Sequence, residues 1–254
     1  MTHPRLQMRG PLARFAHCVQ LAGEPAPAST WPLGHLYRAD SVPPMLAGYL
    51  RSQPPAPRRA LLSQWSKGYL AAWLVPQLGL RYLAGWQLPL QAQQLWLDAE
   101  GAVSAFCYAD AGGPAGTVDD EQCWHAWLEG LLRPTLPLMA RYGGVSVRVL
   151  WNSAGNLLEA ICRQLPQGEA LQARWLQAEC WPWQAAGERN PLRQPVHYVP
   201  PLLPERDTAP TRLRRLCCLR YEIPGQVYCA TCPHLTRLEH DELETLWQHW
   251  RHED

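Results

Sequence analysis

Four cysteines fall within sixteen residues near the end of the chain: Cys217, Cys218, Cys229 and Cys232, spaced C-C-x10-C-x2-C. A segment this rich in thiols, with a Pro224-Gly225 reversal between its halves, is organised around what the sulfurs do rather than around an apolar core. Neighbouring side chains on a regular strand point to opposite faces. Cys217 and Cys218 can therefore serve one centre only where the backbone is irregular. The C-x2-C half is a familiar ligand turn, and Pro233 directly after Cys232 is also seen after ferredoxin ligands. Three readings compete on spacing alone. The cysteines are buried free thiols, or they hold a structural zinc, or they hold a [2Fe–2S] cluster in which each iron takes two thiolates. Zinc knuckles separate their cysteines by two to four residues, which a vicinal pair fits poorly. His234, two residues past Cys232, is a candidate substitute ligand of the Rieske kind.

The rest of the chain restricts the context. It has 254 residues, 47% of them hydrophobic, and a formal charge of +1. This balance gives no basic footprint for nucleic acid. The most apolar stretch, residues 69–83, is interrupted by Pro76, Gln77 and Arg81 and is too short and polar to span a bilayer. No signal-peptide run precedes it, so a cytoplasmic location is expected, where cysteines are read as metal ligands or buried thiols before disulfides. Lys67 is the sole lysine among 23 basic residues, and 13 tryptophans stand beside two phenylalanines. Indoles are thus expected to carry much of the packing.

Periodicity predicts a short helix near residues 43–51 and a long one over 61–83, bent or divided at Pro76. A β-hairpin is expected over 94–108 with its turn at Gly101, then helix over 119–142 with a break at Pro134 or Pro137. Residues 145–151 read as a short strand, with Asn152-Ser153 capping a helix over 154–165, and a further helix is expected over 169–181. Seven prolines between Pro182 and Pro210 mark an extended connector. The last helix is expected to start from a Thr236/Glu239 capping box. The sum is an α+β protein, predominantly α-helical, with a small β-hairpin or antiparallel sheet and a C-terminal cysteine-rich segment. The expected division is an α-rich part over residues 1–205 and a cysteine segment with terminal helix over 206–254.

The order of motifs resembles the FhuF-type ferric siderophore reductases. The cysteine pattern carries the likeness. Trp65 with its apolar helix, residues 150–156 (Leu-Trp-Asn-Ser-Ala-Gly-Asn) and Asn190-Pro191-Leu192 follow in matching order, so that it covers roughly residues 60–235. The tail from Leu235 lies beyond it. The resemblance implies that Cys217, Cys218, Cys229 and Cys232 hold a [2Fe–2S] cluster and pass one electron to a ferric siderophore of hydroxamate type. No G-x-G-x-x-G or P-loop is present, so an external donor is implied, a ferredoxin or a flavin-dependent reductase. Arg212, Arg214, Arg215 and Arg220 would surround an anionic centre. Candidate substrate contacts are Trp65, Lys67, Trp151, Asn152, Arg215 and Arg220. Two alternatives stand beside this: a siderophore-related binding protein with structural zinc, and an electron-transfer module for another acceptor. Cys18, Cys107, Cys123, Cys162 and Cys180 are expected to be ordinary buried thiols. His125, His240, His249 and His252 show no second metal spacing.

Overall fold

The computed structural model describes residues 3–27, 29–185 and 187–251. The N-terminal part holds 3₁₀ turns and strands β1 (Val19–Leu21) and β2 (Ser29–Pro32), then helices α1 (Val42–Ser52) and α2 (Arg58–Ala84). Strands β3 (Trp86–Gln87), β4 (Gln94–Leu97), β5 (Val103–Tyr108) and β6 (Gly113–Pro114) follow. Next come α3 (Asp120–Trp127), α4 (Arg133–Gly143), α5 (Val147–Cys162) and the short α6 (Gly168–Gln172). A second hairpin, β7 (Val196–Val199) and β8 (Thr211–Arg214), leads into the cysteine segment, and α7 (His240–Arg251) closes the described chain. The expected class, mainly helical α+β with small sheets, is what the structure shows.

The expected hairpin over 94–108 forms, as β4 against β5, but inside a four-stranded sheet of order β1-β5-β4-β2. β1 runs parallel to β5, while the other pairs are antiparallel. Gly101 turns the hairpin at φ +80°, and a Cβ there would meet Tyr49 N at 2.3 Å. Only glycine lets the turn sit this close to α1. Helix α2 crosses the sheet and also packs on α5. Its Trp73 meets Phe106 edge-on at 4.9 Å, and both are fully buried. The indoles do pack the core as expected: Trp124 stacks on Trp175 at 5.0 Å, and Trp181 and Trp183 extend the array.

Several boundaries differ from the sequence reading. Pro76 does not divide α2, which runs through it from Arg58 to Ala84. Prolines 134 and 137 do not end the second helical stretch. A π turn at Leu128–Leu132 precedes α4 instead, and the Tyr37 hydroxyl donates to Gly130 O at 2.9 Å. That carbonyl lies four residues before Pro134, whose ring nitrogen has no hydrogen to offer it. Residues 147–151 are helix, not strand: α5 starts about two turns earlier than predicted, with Ser146 as its cap. Burial on α2 and α4 overrides the β-branched preference of Val145, Val147 and Val149. The helix expected over 169–181 ends in a π turn at Gln177. The proline-rich connector contributes β7 to a hairpin that the sequence reading missed. Finally, α7 begins at His240, where Glu242 accepts from the Glu239 N–H at 2.9 Å, while Thr236 bonds back to Pro233 O. Glu239 therefore takes the place expected of Thr236. Around Leu203, Leu213, Leu235 and Leu243 a small core forms, with Trp247 and Trp250 packed against it.

Candidate metal centre

Hydrogen bonds hold the chain in place as it reaches the cysteines. The Arg214 N–H on β8 donates to Thr231 O at 2.8 Å, bringing the C-x2-C turn alongside the strand. Arg215 N–H donates to Pro195 O at 2.9 Å, and Leu216 N–H to Asn152 Oδ1 at 2.9 Å. From α2, Gln64 donates to Cys218 O at 2.7 Å. Leu219 then takes a left-handed backbone, φ +61°, which a branched L-residue adopts only when its surroundings require it. Cys217 and Cys218 themselves lie past the end of β8, outside any regular strand. The Leu219 N–H points back at Cys217 Sγ at 3.4 Å. The segment beyond is clamped by Arg59, whose Nε lies 2.8 Å from Glu222, and by Ile223 packed on Ala60 and Leu61. Pro224-Gly225 reverses the chain, with Gly225 at φ +78°. Cys232 N–H to Cys229 O, 2.9 Å, closes the second ligand turn.

The four thiols meet in two pairs. Cys217 and Cys232 sulfurs are 3.8 Å apart, and Cys218 and Cys229 sulfurs are 3.9 Å apart. Thiolates about 2.3 Å from a tetrahedral metal stand about 3.8 Å from each other. Each pair thus has the spacing of two ligands on one metal. Each pair also takes one cysteine from the vicinal doublet and one from the C-x2-C turn. Cys229 also contacts Cys232, which links the pairs. Cys218 and Cys232 are buried, and Cys217 and Cys229 are half-buried.

Charge around the sulfurs is uneven. Cys217 is drawn down to about 6, first by its hydrogen bond with Cys232, with the Leu219 N–H and His234 helping. Cys229 is drawn well below the ordinary thiol range, first by Cys218 and then by Cys232, with Lys67 and Arg214 adding to it. Cys218 is pushed up to about 12 and Cys232 is also raised, each first by the contact that lowers its partner. Each pair therefore contains one sulfur that is readily a thiolate. The Lys67 ammonium lies 3.0 Å from Cys218 Sγ, held by Gln64 Oε1 at 2.7 Å. Arg214 is only 2% exposed; its Nη2 donates to Ser153 Oγ at 2.6 Å, and its buried Nε has no partner. On the other side, His234 has a ring nitrogen within 4.8 Å of the Cys217 and Cys232 sulfurs, and its ring meets Tyr221 edge-on.

Lys67, Arg214 and Cys229 line one cavity of about 250 Å³, together with Ser153, Asn156 and Thr231. Of the six candidate substrate contacts, Lys67 alone lines this cavity. Trp65 is sealed in the core, stacked on Tyr69 and donating to Gly101 O at 2.9 Å. Trp151 is also buried, near Trp181. Asn152 lies inside α5 rather than at a strand–helix junction, and both ends of its amide are spent on Pro195 O and Leu216 N–H. Arg215 is exposed and is fixed through its backbone, and Arg220 donates to Gln226 at 2.7 Å. Arg212 turns away to Glu159 and Asn156. The sequence reading missed Gln64 and Ser153, because nothing in the sequence connects α2 or α5 to a loop more than sixty residues away. Cys180, expected to be buried, is exposed, whereas Cys18, Cys107, Cys123 and Cys162 are buried. His240 comes within 4.8 Å of Glu205 and Glu244, but Arg206 already holds Glu244. His252 lies outside the described residues.

No helix among the described residues is long and apolar enough to cross a membrane. No curated protein matches the chain. Two family descriptions do, in the order the sequence motifs suggested. Residues 63–201 match the ferric iron reductase FhuF-like transporter family, and residues 214–234 match the FhuF 2Fe-2S C-terminal domain. The second span contains all four cysteines, in a domain whose cofactor is a [2Fe–2S] cluster. With more than half its length inside the first span, the chain belongs to the FhuF-like ferric iron reductase family.

Proposed function

We propose that Cys217, Cys218, Cys229 and Cys232 ligate the [2Fe–2S] cluster and that the protein uses it to reduce the iron of a ferric siderophore by one electron. The observation that carries this reading is the pairing of the sulfurs at 3.8 and 3.9 Å, one pair for each iron. When bound, such a centre stores one electron, at a low potential set by all-thiolate ligation and tuned by nearby charge. This chain's own residues supply the rest. Asn152 and Gln64 hold the vicinal pair in place, Lys67 and Arg214 offset its negative charge, and the cavity beside Cys229 opens the site to an acceptor. Siderophores hold Fe(III) with hard oxygen donors and bind Fe(II) far more weakly, so a single electron turns a nearly irreversible complex into a labile one. Oxygen-rich hydroxamate chelates suit the hydrogen-bond donors that line the cavity. The electron would come from a ferredoxin or a flavin-dependent reductase, and the released Fe(II) would enter the cytoplasm.

An anaerobic visible spectrum before and after dithionite, followed by a ferric hydroxamate, tests the proposal. The expected result is charge-transfer absorption that bleaches on reduction and returns in step with siderophore addition, one electron per ferric ion. A colourless protein holding one zinc would overturn it. A cluster that reduces but is not reoxidised by the chelate would refute the acceptor.

A further inference from the structure

The surroundings of the two sulfur pairs are not equivalent. The Cys218/Cys229 pair faces the chain's sole lysine, 3.0 Å from Cys218 Sγ, and Arg214, whose buried Nε has no partner. Both cations line the cavity that Cys229 opens into. The Cys217/Cys232 pair has His234 beside it instead, in a cluster with Tyr221 and Tyr228 whose rings lie 4.9 to 5.7 Å from one another. Gln64 fixes the Lys67 ammonium and Ser153 fixes the Arg214 guanidinium, so the cations are held in place rather than left to drift in solvent. A buried guanidinium N–H without an acceptor is costly, and a nearby anionic group lowers the cost of burying the charge.

An all-thiolate [2Fe–2S] centre with two ferric ions carries a charge of −2. One electron from a one-electron carrier takes it to −3, with one iron ferrous and the other still ferric. The added negative charge settles where fixed positive charge is nearest and least screened. We propose that Lys67 and Arg214 make the iron held by Cys218 and Cys229 the one that becomes ferrous. The reducing electron then lies on the side of the centre that borders the cavity, and it leaves from there to the ferric acceptor. The aromatic face at Cys217/Cys232 is left for the incoming electron. This inference rests on the cluster assignment proposed above, and its test separates the two.

Iron and acid-labile sulfide are first measured on the unsubstituted protein. Two of each per chain keep the cluster assignment, and their lack would overturn that assignment and this inference with it. The reduced protein is then studied by paramagnetic proton NMR. Ferrous-bound and ferric-bound cysteine β-protons differ in the sign of their temperature dependence. They are assigned by dipolar contacts to Lys67 and Thr231 on one side and to His234 on the other. Ferrous behaviour at Cys218 and Cys229 is expected. Ferrous behaviour at Cys217 and Cys232 overturns the inference while the cluster assignment stands. Redox titrations supply a second readout. At the wild-type midpoint, Lys67→Met should lower the reduced-to-oxidised ratio about tenfold, or about 59 mV for one electron. Lys67→Arg should keep the ratio within about threefold, and so should Arg237→Met, which removes an exposed cation outside the pair. An unchanged ratio in a Lys67→Met protein with full iron content refutes the role of Lys67. The NMR result decides the matter on the unsubstituted protein if a variant fails to hold the cluster.

Discussion

Asn152 Oδ1 accepts the Leu216 N–H at 2.9 Å while Asn152 Nδ2 donates to Pro195 O at 2.7 Å, so one buried amide on α5 anchors both the connector and the residue before the cysteine pair. Substituting Asn152 by Ala leaves the half-buried Leu216 N–H without a partner and takes one of two donors from Pro195 O, which keeps the Arg215 N–H. The expected cost is about 1–3 kcal/mol, chiefly from the one unsatisfied N–H. Because those groups lead directly into Cys217, the loss should fall first on cluster retention. Iron release to a chelator, followed by the decay of visible absorption, should accelerate in Asn152→Ala well before the far-ultraviolet signal of α2 and α5 melts. Equal retention in variant and wild type would show that Asn152 does no more than fill space.

Leu219 gives a second test, because its left-handed backbone turns the chain directly after the vicinal pair and its N–H points back at Cys217 Sγ. Glycine accepts that conformation without strain, whereas a β-branched residue resists it. Leu219→Gly should therefore keep the cluster and lose about 1 kcal/mol or less, strain relief offsetting the lost packing on the main core. Leu219→Val should destabilise the oxidised protein by about 1–3 kcal/mol and lower its iron content. Iron-to-protein ratios after reconstitution distinguish the two. The reverse order would mean that packing, not backbone geometry, governs the vicinal pair.

The parts of the fold that local pattern controls were legible in the sequence. The Gly101 hairpin, the long apolar helix through Trp65 and Trp73, and the cysteine spacing each depend on residues close together in the chain. What was not legible depends on distant partners. Val147 and Val149 read as strand because nothing local reveals that α5 packs on α2. Asn152 read as a helix cap and possible contact because its true partners, Pro195 and Leu216, lie 43 and 64 residues away. Lys67 was noticed only as a candidate; its approach to Cys218 across 151 positions is a tertiary fact. The pairing across the two cysteine motifs was likewise hidden, since spacing alone favours a C-x2-C turn with both sulfurs on one metal.

Gly155 sits where α5 meets the connector, and a Cβ there would lie 2.7 Å from Pro195 Cβ. The proline ring is rigid and its carbonyl is tied to Asn152 and Arg215, so it cannot give way cheaply. Gly155→Ala is expected to cost about 1–3 kcal/mol by overpacking. Gly79→Ala makes an informative contrast. Its added Cβ would meet the Leu12 methyls at 2.5 and 2.7 Å, but these are the free end of a side chain beside an open cavity. A rotamer change relieves that contact, and alanine is the better helix former by about 1 kcal/mol. Thermal melts should place Gly79→Ala near wild type and Gly155→Ala several degrees below it. Similar melting of the two would mean that the connector is free to move off α5.

Buried thiols far from the cysteine segment contribute to the loss of stability at alkaline pH. Burial pushes Cys18 and Cys123 up to about 11 and Cys162 up to about 12, from 9.0. In the folded protein these thiols stay neutral well past the pH at which the unfolded chain ionises. Their raised values therefore favour the folded state fully below about pH 9. That contribution is lost as pH rises through 9 toward 11 and 12, because the unfolded chain releases protons first. Melting temperature should be flat up to pH 9 and fall progressively above it. Cys162→Ala should flatten this fall, since it removes the thiol nearest pH 12, although the cavity lowers the plateau by about 1–2 kcal/mol. The same values predict reactivity. At pH 7.5 iodoacetamide should modify the exposed Cys180 first and leave Cys18, Cys123 and Cys162 untouched until the protein unfolds, as peptide mass mapping would show. Early labelling of Cys162 would mean that α5 opens locally, and the alkaline fall would then reflect that opening rather than global unfolding.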